Sequence, residues 1–347
     1  MSQTRLSGLS EVSMDSVTKD IVISSRIRLA RNFAHINFPI RISDADAKKV
    51  VEKVYKSLNT GNNFVLHTLA ELNNNSCLKY LERHMISREL LDNKDISAFV
   101  TNKLENIVIM LNEEDHIREQ CILKGFSLDE AYSKLCEVDK NICQNCEIAW
   151  TKELGFLTAC PSNLGTGMRA SVMMFLPALT KTGAINEIIQ TFRGLGFAVR
   201  GNLGEGSDAQ GYLYQISNQT TLGMSEKQII ENVKNATKKV CELENEAREV
   251  VFQTKCDQIK DATYRAYGIL SNSYVMTENE FTKLLSDLRL GYFLGLIDFK
   301  DPNILEEIEV SSQPANLNER FGEELDQEKR DKFRADYLCR ALKNQRI

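Results

Sequence analysis

Cys160-Pro161-Ser162-Asn163-Leu164-Gly165-Thr166-Gly167-Met168-Arg169-Ala170-Ser171 is the stretch on which the reading of this chain turns. The apolar run over 155–159 leads into it and reads as a strand. Pro161, Gly165 and Gly167 then break the extended chain into a turn. The apolar residues over 168–176 read as the start of a helix that reaches 180, interrupted at Pro177. A strand, a small-residue turn and a helix N-terminus together present backbone N–H groups to an anion. Arg169 would lie in the first helical turn, where the dipole disfavours a cation unless a phosphate faces it. A positive field there would also lower the pKa of the Cys160 thiol. By shape alone, a plain structural turn is the open alternative.

The wording of the stretch is narrower than its shape. Cys160 to Thr166 resembles the active-site signature of the phosphagen kinases, the creatine and arginine kinase family. The resemblance implies transfer of the γ-phosphoryl group of ATP, bound with Mg2+, to a guanidinium nitrogen. It also implies an α+β fold. The catalytic domain would be glutamine-synthetase-like, an antiparallel sheet flanked by helices, followed here by an all-α C-terminal domain.

Upstream, residues 21–31 read as a strand. With a period of two, Arg26 and Arg28 share a face. Two planar guanidinium groups on one face can grip phosphate oxygens, or can simply line a solvated strand. By resemblance, Ser24-Ser25-Arg26-Ile27-Arg28 is the first nucleotide-binding strand; Arg31 fits the pattern without a clear role. His84 falls on a short amphipathic helix expected over 78–85. It is either structural or, by resemblance, a nucleotide contact.

Asn112-Glu113-Glu114-Asp115-His116-Ile117-Arg118 ends a strand expected over 106–111. Three adjacent acids repel one another, so they form either an acidic loop in solvent or a seat for cations. The motif resembles the second signature of the family, which implies that Glu114 faces the reacting guanidinium and Arg118 holds phosphate. A guanidinium has a pKa above about 12, so its nitrogen is a poor nucleophile. A pair of carboxylates can orient it and accept its proton as the P–N bond forms. The resemblance further implies nucleotide contacts from Arg169, Ala170, Ser171, Val172, Met173, Arg200, Gly201, Asn202, Leu203, Gly204 and Glu205. The glycines of 201–206 let backbone approach a ligand closely. Asp208 stands where the family places its second guanidinium-facing acid, usually a glutamate, and Leu203 where metabolic members carry an arginine.

The bulk properties set the frame. The chain has 347 residues, 42% hydrophobic and 26% charged, with a net charge of -5. This suits two to three soluble domains and argues against a general nucleic-acid binder. No run approaches the roughly 18 apolar residues of a membrane span, and the polar segment 1–19 lacks the apolar core of a secretory signal. Nine cysteines without such a signal fit reduced thiols in the cytoplasm. Cys143 and Cys146 form a Cys-x-x-Cys with no second pair, which favours surface thiols over zinc, and no metal ligands are assigned. The expected division is a flexible lead-in over 1–20, a catalytic domain over 21–251 and a helical domain over 252–347. Cap patterns place helix starts at Ser43, Ser127, Ser225 and Thr277. A further helix is expected over 184–192. Strands are expected over 64–69, 97–101, 197–200 and 211–218.

In the last helix, Arg330 and Arg334 are four residues apart and share a face. That face is either solvated or, as Arg330-Asp331-Lys332-Phe333-Arg334-Ala335, similar to the phosphoarginine-sensing motif of bacterial protein-arginine kinases of the McsB type. The first arginine strand begins at 21, which leaves no room for the N-terminal helical domain of the metabolic enzymes. An open site and an extra C-terminal domain favour an arginine side chain on a protein. A kinase for free arginine or another small guanidine, and a non-catalytic phosphoarginine-binding adaptor, are the alternatives. The resemblance implies an allosteric, stress-response enzyme that marks proteins for Clp-type degradation. Its partners would be protein substrates, an activator protein, a stress-response repressor, a Clp unfoldase and further copies of itself. No nucleic acid or membrane partner is expected.

Overall fold

The structure, a computed structural model, describes residues 17–58, 63–201 and 210–347. Its centre is an antiparallel sheet: β1 (Val22–Arg31), β2 (Phe64–Thr68), β3 (Ala98–Asn102), β4 (Ile107–Leu111), β5 (Ile117–Lys124), β8 (Met168–Phe175), β9 (Phe197–Gly201) and β10 (Leu213–Asn218). The spatial order is β2-β3-β4-β5-β1-β8-β10-β9. A small hairpin, β6 (Trp150–Thr151) with β7 (Gly155–Phe156), precedes the central signature. The helices of the sheet region are α1 (Asp44–Leu58), α2 (Asn74–Glu82), α3 (Arg88–Asp92), α4 (Leu128–Asn145), α5 (Pro177–Thr182) and α6 (Ile185–Gly194). Then come α7 (Glu226–Leu270), α8 (Glu278–Phe293), α9 (Ile304–Ser311), α10 (Pro314–Phe321) and α11 (Gln327–Leu342). This is the expected α+β class with a helical C-terminal region.

The two faces of the sheet differ, and that difference makes the site. One face is covered throughout by a single core: Ile27, Leu29, Ile109, Ile117, Ala170, Val172 and Ile216 pack with Leu135 of α4 and with Ile229 and Val233 of α7. The other face is covered at one end, where Phe99, Val108 and Met110 meet Cys77 and Leu90 of α2 and α3, and around Phe175, which packs with Leu290 of α8. Strands β3 and β4 are therefore apolar at nearly every position. Strands β1 and β8 alternate instead, and Arg26, Arg28, Arg169 and Ser171 lie on the uncovered half.

Local chemistry explains the helix starts. Ser225 and Gln228 form a reciprocal capping box at α7, and Thr277 caps α8 by accepting from the N–H of Glu280. Ser43 Oγ accepts from the N–H of Asp46 at the head of α1. Ser127 does not cap α4; its hydroxyl donates to the carbonyl of Lys124. That helix runs on to Asn145, because Leu135, Val138 and Ile142 continue its buried stripe.

The largest correction concerns 168–175. This segment is not a helix but β8, paired with β1 on one side and β10 on the other. Its alternation of buried Met168, Ala170, Val172 and Met174 with Arg169, Ser171 and Met173 has the strand period. The helix begins only at Pro177, which supplies a fixed φ at its first position rather than an interruption. The strand expected over 155–159 is confined to Gly155–Phe156. The helix expected over 78–85 is α2, and it ends before His84, whose φ is 55°.

α7 spans 226–270 and crosses the expected boundary at 251/252, with a non-helical residue at Lys255 (φ -132°). Beyond it a second core forms around Phe281, Leu285, Leu288, Ile308 and Leu338. Phe175, Ala178, Val251, Ile259 and Leu290 join this region to the sheet.

Candidate active site

Pairing register places the site. Arg26 of β1 faces Ile122 of β5 and Ser171 of β8, while Arg28 faces Gln120 and Arg169. Arg118 lies on the same face of β5, and Gln215 of β10 is paired with both Met173 and Arg200. Alternation in five adjacent strands thus turns residues as far apart in the chain as Arg26 and Gln215 onto one open surface.

That surface is a cleft with two connected parts sharing Arg26 and Gln215. The smaller, about 170 Å³, is lined by Ser24, Arg83, His84, Ser171, Met173 and Gly201. The larger, about 860 Å³, is lined by Arg28, Arg118, Arg169 and Arg200 together with Glu113 and Glu114. Of the residues expected at the nucleotide, Ser25, Ile27, Ala170 and Val172 have side chains on the opposite, buried face. Ser25 Oγ donates to the Gly125 carbonyl and accepts from the N–H of Ser127, so it ties β1 to the turn after β5. Asn202, Leu203, Gly204, Glu205 and Asp208 lie outside the described residues.

The arginines repel one another. Arg26 has its pKa pushed down to about 10 by burial and then by Arg118 and Arg169. Burial, then Arg26, Arg118 and Arg169, push Arg28 well below the ordinary value. Arg169 is lowered by burial, Arg200 and Arg118. Guanidinium groups do not give up their protons in proteins, so these shifts measure positive charge that an anion would relieve. Arg28 Nε is buried with no hydrogen-bond partner. A polyphosphate fits this donor set in charge and in planar geometry.

The acids are organised, not a loop in solvent. Glu113 is buried, with Oε1 accepting from Arg118 at 2.5 Å and from Ser87 Oγ at 2.7 Å. Asp115 is buried too, accepting from Asn32 Nδ2 at 2.6 Å and from the N–H of Ala159 at 2.7 Å. Between them Glu114 stays open to the cleft, with 42% of its side chain exposed and Arg118 Nη2 at 3.4 Å. Burial of the cleft wall raises the Glu114 pKa, with Arg118 pulling the other way. The turn therefore spends two carboxylates on its own rigidity and presents the third.

Cys160 is half-buried, with Sγ 3.0 Å from Ser162 Oγ, and lies near enough to Arg169 for a thiolate to favour the arginine's charge. The glycines of the signature serve backbone contact. A Cβ on Gly155 would lie 2.3 Å from the Gly165 carbonyl oxygen; one on Gly165 would lie 2.6 Å from that of Thr221. Arg31 is wholly structural: buried, paired with Asp139 at 2.9 Å and stacked 3.6 Å from the centre of the Phe156 ring. Glu113, Ser87, Arg83, Gln215 and Asn32 were not singled out from sequence. Gln215 carried a signal, since it stands on the polar side of an alternating strand, and Glu113 lies within the quoted acidic motif.

In the C-terminal region Arg334 is fully buried. Its Nη1 donates to Asp331 at 2.6 Å and to the Met276 carbonyl at 2.8 Å, and its Nε to the Ser312 carbonyl at 3.1 Å. Arg330 is half-buried on the same helix.

Comparison with known proteins agrees with this geometry. The ATP:guanido phosphotransferase C-terminal catalytic domain matches residues 46–247, and the protein-arginine kinase McsB C-terminal domain matches 256–346. The protein-arginine kinase of Clostridium tetani is 42% identical over 326 residues, 94% of this chain and 96% of that one. That of Bacillus subtilis is 42% identical over 328 residues, 93% of this chain and 90% of that one. Among solved structures, lombricine kinase superposes with a TM-score of 0.58 at 25% identity, covering 65% of this chain and 66% of that one. The duplicated taurocyamine kinase of Schistosoma mansoni gives a TM-score of 0.58 at 26% identity, covering 70% of this chain and 36% of that one.

Proposed function

This chain belongs to the protein-arginine kinase family of ATP:guanido phosphotransferases, and we propose that it transfers the γ-phosphoryl group of ATP to arginine side chains of proteins. The observation that carries the reading is the cleft itself: an arginine cage under electrostatic stress on one side and an ionisable carboxylate held open beside it on the other.

In this reading the smaller part of the cleft takes the nucleoside, against Ser24, His84 and Met173. Arg26, Arg28, Arg118, Arg169 and Arg200 neutralise the phosphates. Preorganised charge of this kind supplies most of the catalysis in phosphoryl transfer. Among the described residues no cluster of three or more His, Cys, Asp or Glu could hold a metal. Mg2+, when bound with the nucleotide, would add positive charge at the phosphate oxygens beside this arginine cage. Glu114, held by the Glu113 and Asp115 anchors, accepts hydrogen bonds from the acceptor guanidinium and takes its proton as the γ-phosphorus bonds to nitrogen, its bond to the bridging oxygen breaks and ADP leaves. Asp208 is proposed as the second acid and Cys160 as the thiol beside the acceptor. We keep 21–251 as the catalytic unit and 252–347 as a helical unit in which Arg330 answers to phosphoarginine from a helix that Asp331 and Arg334 brace. The cellular proposals go with the family: a cytoplasmic homo-oligomer in the stress response, working with an activator protein and a repressor and handing its products to a Clp-type unfoldase.

The test is product analysis. The full chain with Mg-ATP is given either an unfolded, arginine-bearing protein or free arginine, and phosphorylation is mapped by mass spectrometry without acid. Acid-labile phosphate on protein arginines is expected. Product from free arginine alone would replace this reading by that of a small-guanidine kinase.

A further inference from the structure

We propose that the mouth of the cleft is a docking platform for the polypeptide carrying the acceptor arginine, with Ile40 as its apolar lip and Glu89 as its acidic one. This rests on the reading of Glu114 as the residue that faces the acceptor. Ile40 and Glu89 line the same cleft as Glu114 but come from separate elements, the single turn Pro39–Arg41 and the first turn of α3.

Isolated exposed aliphatic residues are ordinary on protein surfaces. Ile40 is set apart by its place and by how firmly it is held. It is 91% exposed at the rim of a reaction cleft lined mostly by charged and polar side chains. Beneath it Pro39 is buried, the Phe38 ring stacks on His116 with centroids 6.4 Å apart, and the His116 ring lies 2.8 Å from the Asn37 carbonyl oxygen. His116 belongs to the turn that aims Glu114. One rigid unit therefore positions both the carboxylate and the apolar lip.

Glu89 is exposed and near enough to Glu114 to raise that carboxyl. Its charge has a purpose at this end of the cleft. An incoming guanidinium approaches a cavity lined by five arginines, and acidic groups at the entrance offset that repulsion. Glu113 contributes little to the entrance, because Arg118 and Ser87 already hold it. Asn93, which ends α3, lines the same mouth with an amide that can pair with either group of an extended backbone.

When an arginine side chain reaches Glu114, the backbone it hangs from crosses this mouth and its neighbours fall on the two lips. The occupant is an extended or unfolded segment with an apolar residue beside the target arginine and no acidic one. The same lips disfavour free arginine, whose α-carboxylate would lie in the field of Glu89 with nothing to offer Ile40.

The experiment uses the full chain, Mg-ATP, free arginine and two synthetic peptides with a single arginine, one flanked by leucine and lysine and the other by aspartate and glycine. The wild type should prefer the first peptide. Ile40→Asn should raise KM for that peptide about threefold to tenfold, with no matching rise in KM for Mg-ATP. Glu89→Gln should narrow the gap between the two peptides. Equal turnover of the two peptides by the wild type, or wild-type KM values in both variants, overturns the platform while leaving the kinase reading in place. No phosphoarginine from any acceptor overturns the kinase reading and the platform with it.

Discussion

Arg28 of β1 and Arg169 of β8 are direct partners across the central antiparallel ladder, two guanidinium groups opposed on its open face. Like charges in that position destabilise a sheet, and Arg26 adds a third two residues along. The arrangement makes sense in a protein whose working state includes a polyanion. Replacing Arg169 by methionine should leave the melting temperature of the nucleotide-free protein unchanged or higher. The stabilisation by Mg-ATP, about 2.7 kcal/mol at a hundredfold excess over Kd in the wild type, should largely disappear. An Arg169→Met protein with an undiminished nucleotide shift would show that the phosphates lie elsewhere.

In the proposed role, Glu114 should set the acid limb of activity. Its working form is the carboxylate, and burial raises its pKa above the ordinary value. Activity should therefore fall as pH drops through that raised value, earlier than for an ordinary exposed glutamate. Glu114→Gln should lower kcat by about a hundredfold or more and flatten the limb. A pH–rate profile of both proteins on a polypeptide acceptor decides it; a limb that survives the substitution belongs to another group.

The signature glycines are predicted to matter for folding before chemistry. Gly165 has φ 98°, and a Cβ there would meet both the carbonyl oxygen of Thr221 at 2.6 Å and Leu222 Cα at 2.7 Å. Backbone atoms cannot step aside as a side chain can. Gly165→Ala should cost on the order of 2–4 kcal/mol, read as a lowered urea midpoint. A variant of full stability and no activity would instead assign the glycine to ligand contact.

Much of the site was legible because it rests on the strand period. Arg26 and Arg28 could be placed on one face from spacing alone, and β1 bears this out. The same rule was available at 168–175, where Arg169, Ser171 and Met173 alternate with apolar residues. It was masked by methionine and alanine, good helix formers, and by a turn that suggested a helix N-terminus. Burial between two partner strands overrode that propensity. Glu113 and Asp115 were hidden for another reason. Neighbouring acids look alike in sequence, and only their partners Arg118, Ser87, Asn32 and the Ala159 N–H separate the anchors from Glu114. Arg330 and Arg334 likewise share a helix face, but nothing in their spacing shows that one is sealed in the core.

Glu82 predicts a pH dependence of stability. It ends α2 with its carboxylate accepting from the N–H of Ala315 at the start of α10, and burial raises its pKa to about 7. The folded state therefore holds a proton that the unfolded chain releases near the ordinary value of about 4.5. The contribution of Glu82 to stability should be fully present below that value and be lost as pH rises toward about 7. Glu82→Gln should flatten this part of the profile in urea titrations from about pH 5 to about pH 8. An equally steep loss in the variant would place the responsible group elsewhere.

The final prediction separates two arginines that the sequence treats as equals. Arg334 is a buried cross-brace: through Met276 and Ser312 it ties the approach to α8 and the end of α9 onto α11, with Asp331 balancing its charge. Removing one partner of a buried, hydrogen-bonded pair leaves an uncompensated charge, so Arg334→Ala should cost about 3–5 kcal/mol and be seen first as lost stability. Arg330 is half-buried and not part of that brace. Arg330→Ala should keep its melting temperature within a few degrees and lose whatever response the kinase shows to added phosphoarginine. If both variants fold like the wild type and both lose the response, Arg334 is a ligand rather than a brace. Should Arg330→Ala respond normally, sensing does not pass through this face of α11.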